Sequence, residues 1–212
     1  MLRTPSLQHI LVLLPALVFA FSIHELSHGL MAYLLGDHTA KRDGRLSLNP
    51  IRHIDPVGLI CIIFIGFGWA KPVMINPYNL KNPKIDMALI AVAGPISNFL
   101  MAFIGLMLAY PLNLSINVPS YITEVIMTFC VINIMLGVFN LIPIPPLDGS
   151  KVLVGILPDS VYNSLPNIGR FGMVILMVFL FTGAISQILV PVTRAIYVML
   201  FTTVMNIYGA LL

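Results

Sequence analysis

Along most of this chain, hydrophobic residues follow one another without the polar alternation of a soluble helix or strand. Uncharged stretches run over residues 11–35, interrupted by Glu25 alone, and over 57–70, 87–110, 125–142, 171–190 and 195–212. A helix needs about 20 apolar residues to cross the ~30 Å hydrocarbon core of a bilayer, so all but the second predict transmembrane spans. The second is shorter, contains Gly58, Gly66 and Gly68, and runs into Lys71 and Pro72. That composition suits a re-entrant hairpin or loop at least as well as a crossing helix. The pattern therefore predicts an all-α polytopic membrane protein: about five transmembrane helices plus one membrane-associated re-entrant segment, in a single domain over 1–212.

Composition agrees, with 58% hydrophobic and 9% charged residues against about 25% charged in soluble domains. The net charge of +3 and sequence pI near 9.0 do not indicate nucleic acid, because no basic run is interleaved with aromatics. Seven of the eleven basic residues, Lys41, Arg42, Arg45, Arg52, Lys71, Lys81 and Lys84, fall between 37 and 84. If 57–70 dips in and returns, all seven lie on one face, which the positive-inside rule makes cytoplasmic. The N-terminus and 111–120 are then outside, and Asp148 returns to the cytoplasmic face. The first stretch stays apolar past any signal-peptide core, so it predicts a retained span. Cys61 and Cys130 sit in apolar runs and form neither a disulfide framework nor a CxxC site.

Inside the first span stands His24-Glu25-Leu26-Ser27-His28. Positions i and i+4 share a helix face, so both imidazoles can reach one Zn²⁺ while the glutamate stands ready to take a proton from water. A polar patch between packed helices is the plainer alternative, but ionisable residues inside a membrane are functional-site candidates by default.

Hydrolytic zinc takes three protein ligands and keeps one open position. Asp148 follows the fourth span within Asn140-Leu141-Ile142-Pro143-Ile144-Pro145-Pro146-Leu147-Asp148-Gly149, where prolines stop the helix and Gly149 permits an unusual turn. Under the re-entrant topology it lies on the same side as the histidines; under the crossing topology it is ~30 Å away. Asp37, Asp43 and Asp55 belong to the polar segment after the first span. Asp86 and Glu124 mark helix starts, and Asp159 reads as solvated. Asp55 is the runner-up ligand, with a turn-organising role as its alternative.

These motifs, together with His53 to Gly58, Gly68-Trp69-Ala70-Lys71-Pro72-Val73 and Ala93-Gly94-Pro95-Ile96-Ser97-Asn98, closely resemble the site-2 protease family of intramembrane zinc metalloproteases. The likeness is to its compact prokaryotic branch without PDZ or CBS modules. It covers roughly residues 20 to 155, in family order. The resemblance implies a three-helix catalytic core (about 8–155), a β-rich membrane-associated segment between its first two helices, and peptide-bond hydrolysis inside the bilayer. It makes His24, His28 and Asp148 the ligands of one Zn²⁺, Glu25 the general base, and Asn98 a second catalytic residue that polarises the scissile carbonyl. Helix packing is the alternative for Asn98 and for Asn140. Gly68, Lys71 and Asn140 are candidate substrate-binding residues, with interfacial anchoring as the alternative for Lys71 and Trp69.

Such an enzyme acts on transmembrane protein or peptide substrates in a prokaryotic cytoplasmic membrane, from a site nearer the cytoplasmic side. The segment from Gly66 to Val73 offers an edge on which an unwound substrate can pair as an added strand. The apolar helices over about 170–212 lie outside the catalytic core, and a homo-oligomer or a regulatory membrane partner is left open. Two rivals use the same residues: a metal-ion or proton transporter, and a zinc-binding scaffold without proteolysis.

Overall fold

The computed structural model describes residues 7–65, 68–114, 118–158 and 168–211. Helix α1 (Leu7–Leu34) carries Pro15 in its interior. The Ser22 and Ser27 hydroxyls donate to the carbonyls of Val18 and Ile23 at 2.6 and 2.7 Å, satisfying polar side chains within an apolar helix. The helix ends at Gly36, whose φ of 106° suits glycine alone.

A short helix α2 (Thr39–Arg42) follows, and then α3 (Pro56–Ile65). Asp55 caps α3: its Oδ1 accepts from Val57 N at 2.9 Å and Gly58 N at 3.2 Å, while Pro56 opens the first turn. Ile54 and Ala70 form an antiparallel bridge, and Lys71 N donates to His53 O at 2.9 Å. The chain between them leaves and returns to its starting point. A Cβ on Gly58 would stand 2.1 Å from Trp69 O, so the close return depends on glycine there. The excursion is helical, and among the described residues the β-rich segment implied by the family resemblance is reduced to this one bridge. Gly66 and Asp159 lie outside the described residues.

Helix α4 (Pro83–Leu114) packs antiparallel to α1. Ile90 sits by Ala32, Gly94 against His28, and Asn98 beside Ala20. Helix α5 (Ser120–Asn140) runs antiparallel to α4 in turn: Gly105 meets Cys130, Asn98 meets Asn133, and Gly137 lies under Phe99. Small residues at these crossings bring the backbones close, as packing between apolar helices requires.

Helix α6 (Asp148–Ile156) lies on the start of α4, with Gly155 on Ala88 and Lys84 Nζ donating to Leu157 O at 2.5 Å. Beyond it come α7 (Ile168–Phe181) and α8 (Ala184–Leu211). The apolar sequence is divided at Gly183, with φ 75°, rather than near Val190 as the charge pattern suggested. Helix α8 continues through Pro191, a residue that membrane helices tolerate.

Among the described residues, four helical segments are long and apolar enough to cross a bilayer: Leu11–Leu34, Pro83–Leu112, Tyr121–Asn140 and Ala184–Ala210. The apolar part of α7, Phe171–Phe181, is shorter. Val204 of α8 joins Ala102, Leu106, Cys130, Ile134 and Val138 in one core, and Tyr208 Oη donates to Met107 O at 2.8 Å.

Candidate metal centre

His24 and His28 face α4 where it bears Gly94. A Cβ at that position would fall 2.6 Å from His24 Cε1 and 2.5 Å from His28 Cε1. Glycine therefore lets α4 lie directly over the two rings. Pro95, the next residue, lacks the N–H that would bond Ala91 O, so the ladder loses a rung beside the turn that serves the site. His28 Nδ1 lies 2.7 Å from Ile90 O, and His24 Nδ1 lies 2.6 Å from Asn98 Oδ1. Both acceptors require protonated Nδ1 atoms, which leaves both Nε2 lone pairs free.

Those lone pairs converge. The two Nε2 atoms are 2.9 Å apart, and Asp148 Oδ2 lies 3.1 Å from His24 Nε2 and 3.0 Å from His28 Nε2. All three residues are buried. Asp148 arrives here because α6 starts hard against the end of α5: a Cβ on Gly149 would stand 2.2 Å from Leu141 O. Its other oxygen, Oδ1, pairs with Lys151 Nζ at 3.2 Å.

A triangle of two imidazole nitrogens and a carboxylate oxygen is a hydrolytic zinc donor set. Ligands at about 2.0–2.1 Å in a tetrahedron are separated by roughly 3.3 Å, close to the spacing here. Two nitrogen lone pairs and a carboxylate this close, away from water, call for a cation between them.

Comparison with known proteins agrees with that chemistry. The family model "Peptidase family M50" matches residues 115–183. YwhC of Bacillus subtilis, which carries a zinc metalloprotease name, is 38% identical over 184 residues, covering 84% of each chain. The chain belongs to peptidase family M50, the site-2 proteases. The zinc metalloprotease MJ0392 of Methanocaldococcus jannaschii is 31% identical over 124 residues, 56% of this chain and 34% of its own. Rip2 of Mycolicibacterium smegmatis, also named as a zinc metalloprotease, is 26% identical over 177 residues, 80% of this chain and 66% of its own. No solved structure matches the chain. An M50 peptidase is a zinc metalloprotease, so Zn²⁺ is the cofactor of this chain, and the triangle is a donor set that could hold it.

Beside the triangle, Glu25 Oε2 accepts a hydrogen bond from Val73 N at 2.8 Å, bringing the extended backbone after Ala70 across the glutamate. Asn98 is wholly buried. Its Nδ2 donates to Asn133 Oδ1 at 2.9 Å and approaches Ala20 O at 3.4 Å. Asn133 and the Ile90 carbonyl were not singled out from sequence, and Val73 only as the end of the Gly68–Val73 motif, without its contact to Glu25. Of the first two, only Asn133 carried a signal, being a polar residue within an apolar span.

Several other candidates stand apart from the triangle. Asp55 is not part of it. Besides capping α3, its Oδ2 accepts from Trp69 Nε1 at 3.2 Å, so it organises the turn between the two ends of the excursion. The Gly58 N–H, with those of Val57 and Trp69, holds its carboxyl below the usual carboxylate value. Asn140 Nδ2 donates back to Leu136 O on its own helix at 3.0 Å. Gly68 faces Gly58, and the Lys71 side chain is exposed.

Proposed function

We propose that His24, His28 and Asp148 hold one Zn²⁺ and that Glu25 carries the proton in peptide-bond hydrolysis of membrane-protein substrates. The observation behind this reading is the convergence of two Nε2 atoms and one carboxylate oxygen while both Nδ1 atoms are otherwise bonded. When bound, zinc supplies a Lewis acid and makes water at its open position acidic near neutral pH. Glu25 takes a proton from the attacking water, whose oxygen bonds to the carbonyl carbon. As the C–N bond breaks, Glu25 returns the proton to the leaving nitrogen. Asn98 acts here by fixing the tautomer and tilt of His24, since its amide hydrogens are directed to Asn133 and Ala20.

A substrate helix hides its carbonyls in its own hydrogen bonds, so it must unwind before attack. The extended backbone over 71–76, next to Gly68 and the Lys71 side chain, offers the unwound stretch a strand to pair with. This favours substrates with Gly, Pro, Asn or Ser near the cut. The antiparallel packing of α1 and α4, with the ends of the 55–69 excursion adjacent, supports a re-entrant segment that keeps the seven basic residues on the cytoplasmic face of a prokaryotic membrane. The site then lies nearer that face. The transporter and scaffold readings draw on no observation of their own.

The test is cleavage of a single-span substrate by the full chain reconstituted in liposomes. Glu25→Gln should keep stoichiometric zinc and lose activity by about 10²–10⁴-fold. Equal cleavage by both proteins, or wild type without stoichiometric zinc, overturns the reading.

A further inference from the structure

Arg45 is 93% buried, at 7% relative exposure, and no carboxylate among the described residues pairs with it. A buried guanidinium needs hydrogen bonds in place of the water it has lost. Arg45 finds them on main chain: Nη2 donates to Lys71 O at 2.5 Å and to Pro72 O at 3.0 Å. The residue that follows these two carbonyls is Val73, whose N–H donates to Glu25 Oε2 at 2.8 Å. The Val73 side chain is buried on α1, where a Cβ on Gly29 would stand 3.4 Å from Val73 Cγ1.

The far end of the same extended stretch is held by Asp37, which is also fully buried. Its Oδ2 accepts from Asn76 N at 2.7 Å and its Oδ1 from Asn79 Nδ2 at 2.7 Å. The extended stretch that crosses Glu25 is thus held between two buried charges of opposite sign, Asp37 and Arg45, which flank α2. Only Arg45 grips it next to the N–H that meets the glutamate.

We propose that Arg45 is a positioning residue for Glu25: by fixing the Lys71 and Pro72 carbonyls it aims the Val73 N–H at the Glu25 carboxylate and holds that carboxylate in one orientation. This rests on Glu25 being the base. Both bonds leave the single nitrogen Nη2, whose two N–H directions are fixed by the planar guanidinium, whereas a lysine ammonium is a freely rotating donor on a shorter, flexible stem. Arg45→Lys should therefore restore only part of what Arg45→Gln removes.

The experiment uses the full chain in liposomes with three readouts: hydrogen exchange across 71–76, zinc content, and kcat and KM on a single-span substrate. Arg45→Gln should raise exchange across 71–76 by at least tenfold, leave zinc stoichiometric and lower kcat about tenfold or more, with KM changed less than twofold. Arg45→Lys should fall between it and wild type in both exchange and kcat. Unchanged exchange in the glutamine variant, or a loss carried wholly by KM, overturns the proposal. Should Arg45→Gln not fold, Arg45→Lys decides it by the same criteria. If wild type itself does not cleave, the protease reading fails while the exchange comparison still tests the clamp.

Discussion

Asn98 Oδ1 stands 2.6 Å from His24 Nδ1, across 74 residues of sequence, and joins the middle of α4 to the edge of α1 that bears the two histidines. The amide in turn leans on Asn133 of α5, so three helices set the orientation of one imidazole. Asn98→Ala removes the acceptor and should weaken zinc binding about 10–100-fold, measured by chelator competition. Asn98→Asp keeps an acceptor oxygen and should retain most of the affinity. Equal affinity in wild type and the alanine variant would mean that the ring is held by other means.

Gly94→Ala would place a methyl group 2.5–2.6 Å from atoms of both histidine rings. Such overpacking costs about 1–3 kcal/mol, and moving the rings is the simplest relief. The variant should lose zinc stoichiometry and melt at a lower temperature in detergent. Gly209→Ala meets nothing within 4 Å and should change neither, which makes it the control.

That His24, His28 and Asp148 come together was legible because its signals are local or topological. His24 and His28 follow from helical periodicity. Asp148 follows from counting membrane crossings, since only an even number between α1 and α4 lets it meet them. Asn133 and the Ile90 carbonyl depend on which faces of α4 and α5 meet, and near-continuous apolar sequence carries no periodicity to reveal that. The same uniformity hid the break at Gly183: Pro191 and Arg194 look like a loop in sequence, yet α8 runs through both. For Asp55, the choice between ligand and turn organiser was settled by distances of 2.9–3.2 Å to Val57, Gly58 and Trp69.

Asp37 makes stability depend on acid. Burial pushes its carboxyl up, but hydrogen bonds from Thr39, Asn79 and Asn76 outweigh it and leave it below the ordinary value of 3.8. A depressed carboxyl contributes fully above that value, and its contribution drains away as pH falls through the lower, folded value. Asp37→Asn should therefore be less stable than wild type at pH 7 by about 1.5–3 kcal/mol. The gap should close as the pH drops below about 3.8. Parallel melting curves across that window would show that Asp37 does not titrate with unfolding.

Single cysteines at Lys41 and Lys81, both exposed, should react with an impermeant reagent from the same face of the membrane. Lys41 precedes the 55–69 excursion and Lys81 follows it. Labelling of one from each face would mean that α3 crosses the bilayer and would remove the topological support for Asp148 beside the histidines.

His24 and Asp148 are separated by 124 residues, and Asp148 reaches the histidines only once α6 has settled on α4 and on the end of α5. During synthesis the motif-bearing helix enters the bilayer first, with two of the three proposed ligands. The third emerges on the order of ten seconds later at 5–20 residues per second. Because metal binding is coupled to folding, the growing polypeptide carries an incomplete donor set through that interval. The triangle of His24, His28 and Asp148 is complete only after α6 has docked.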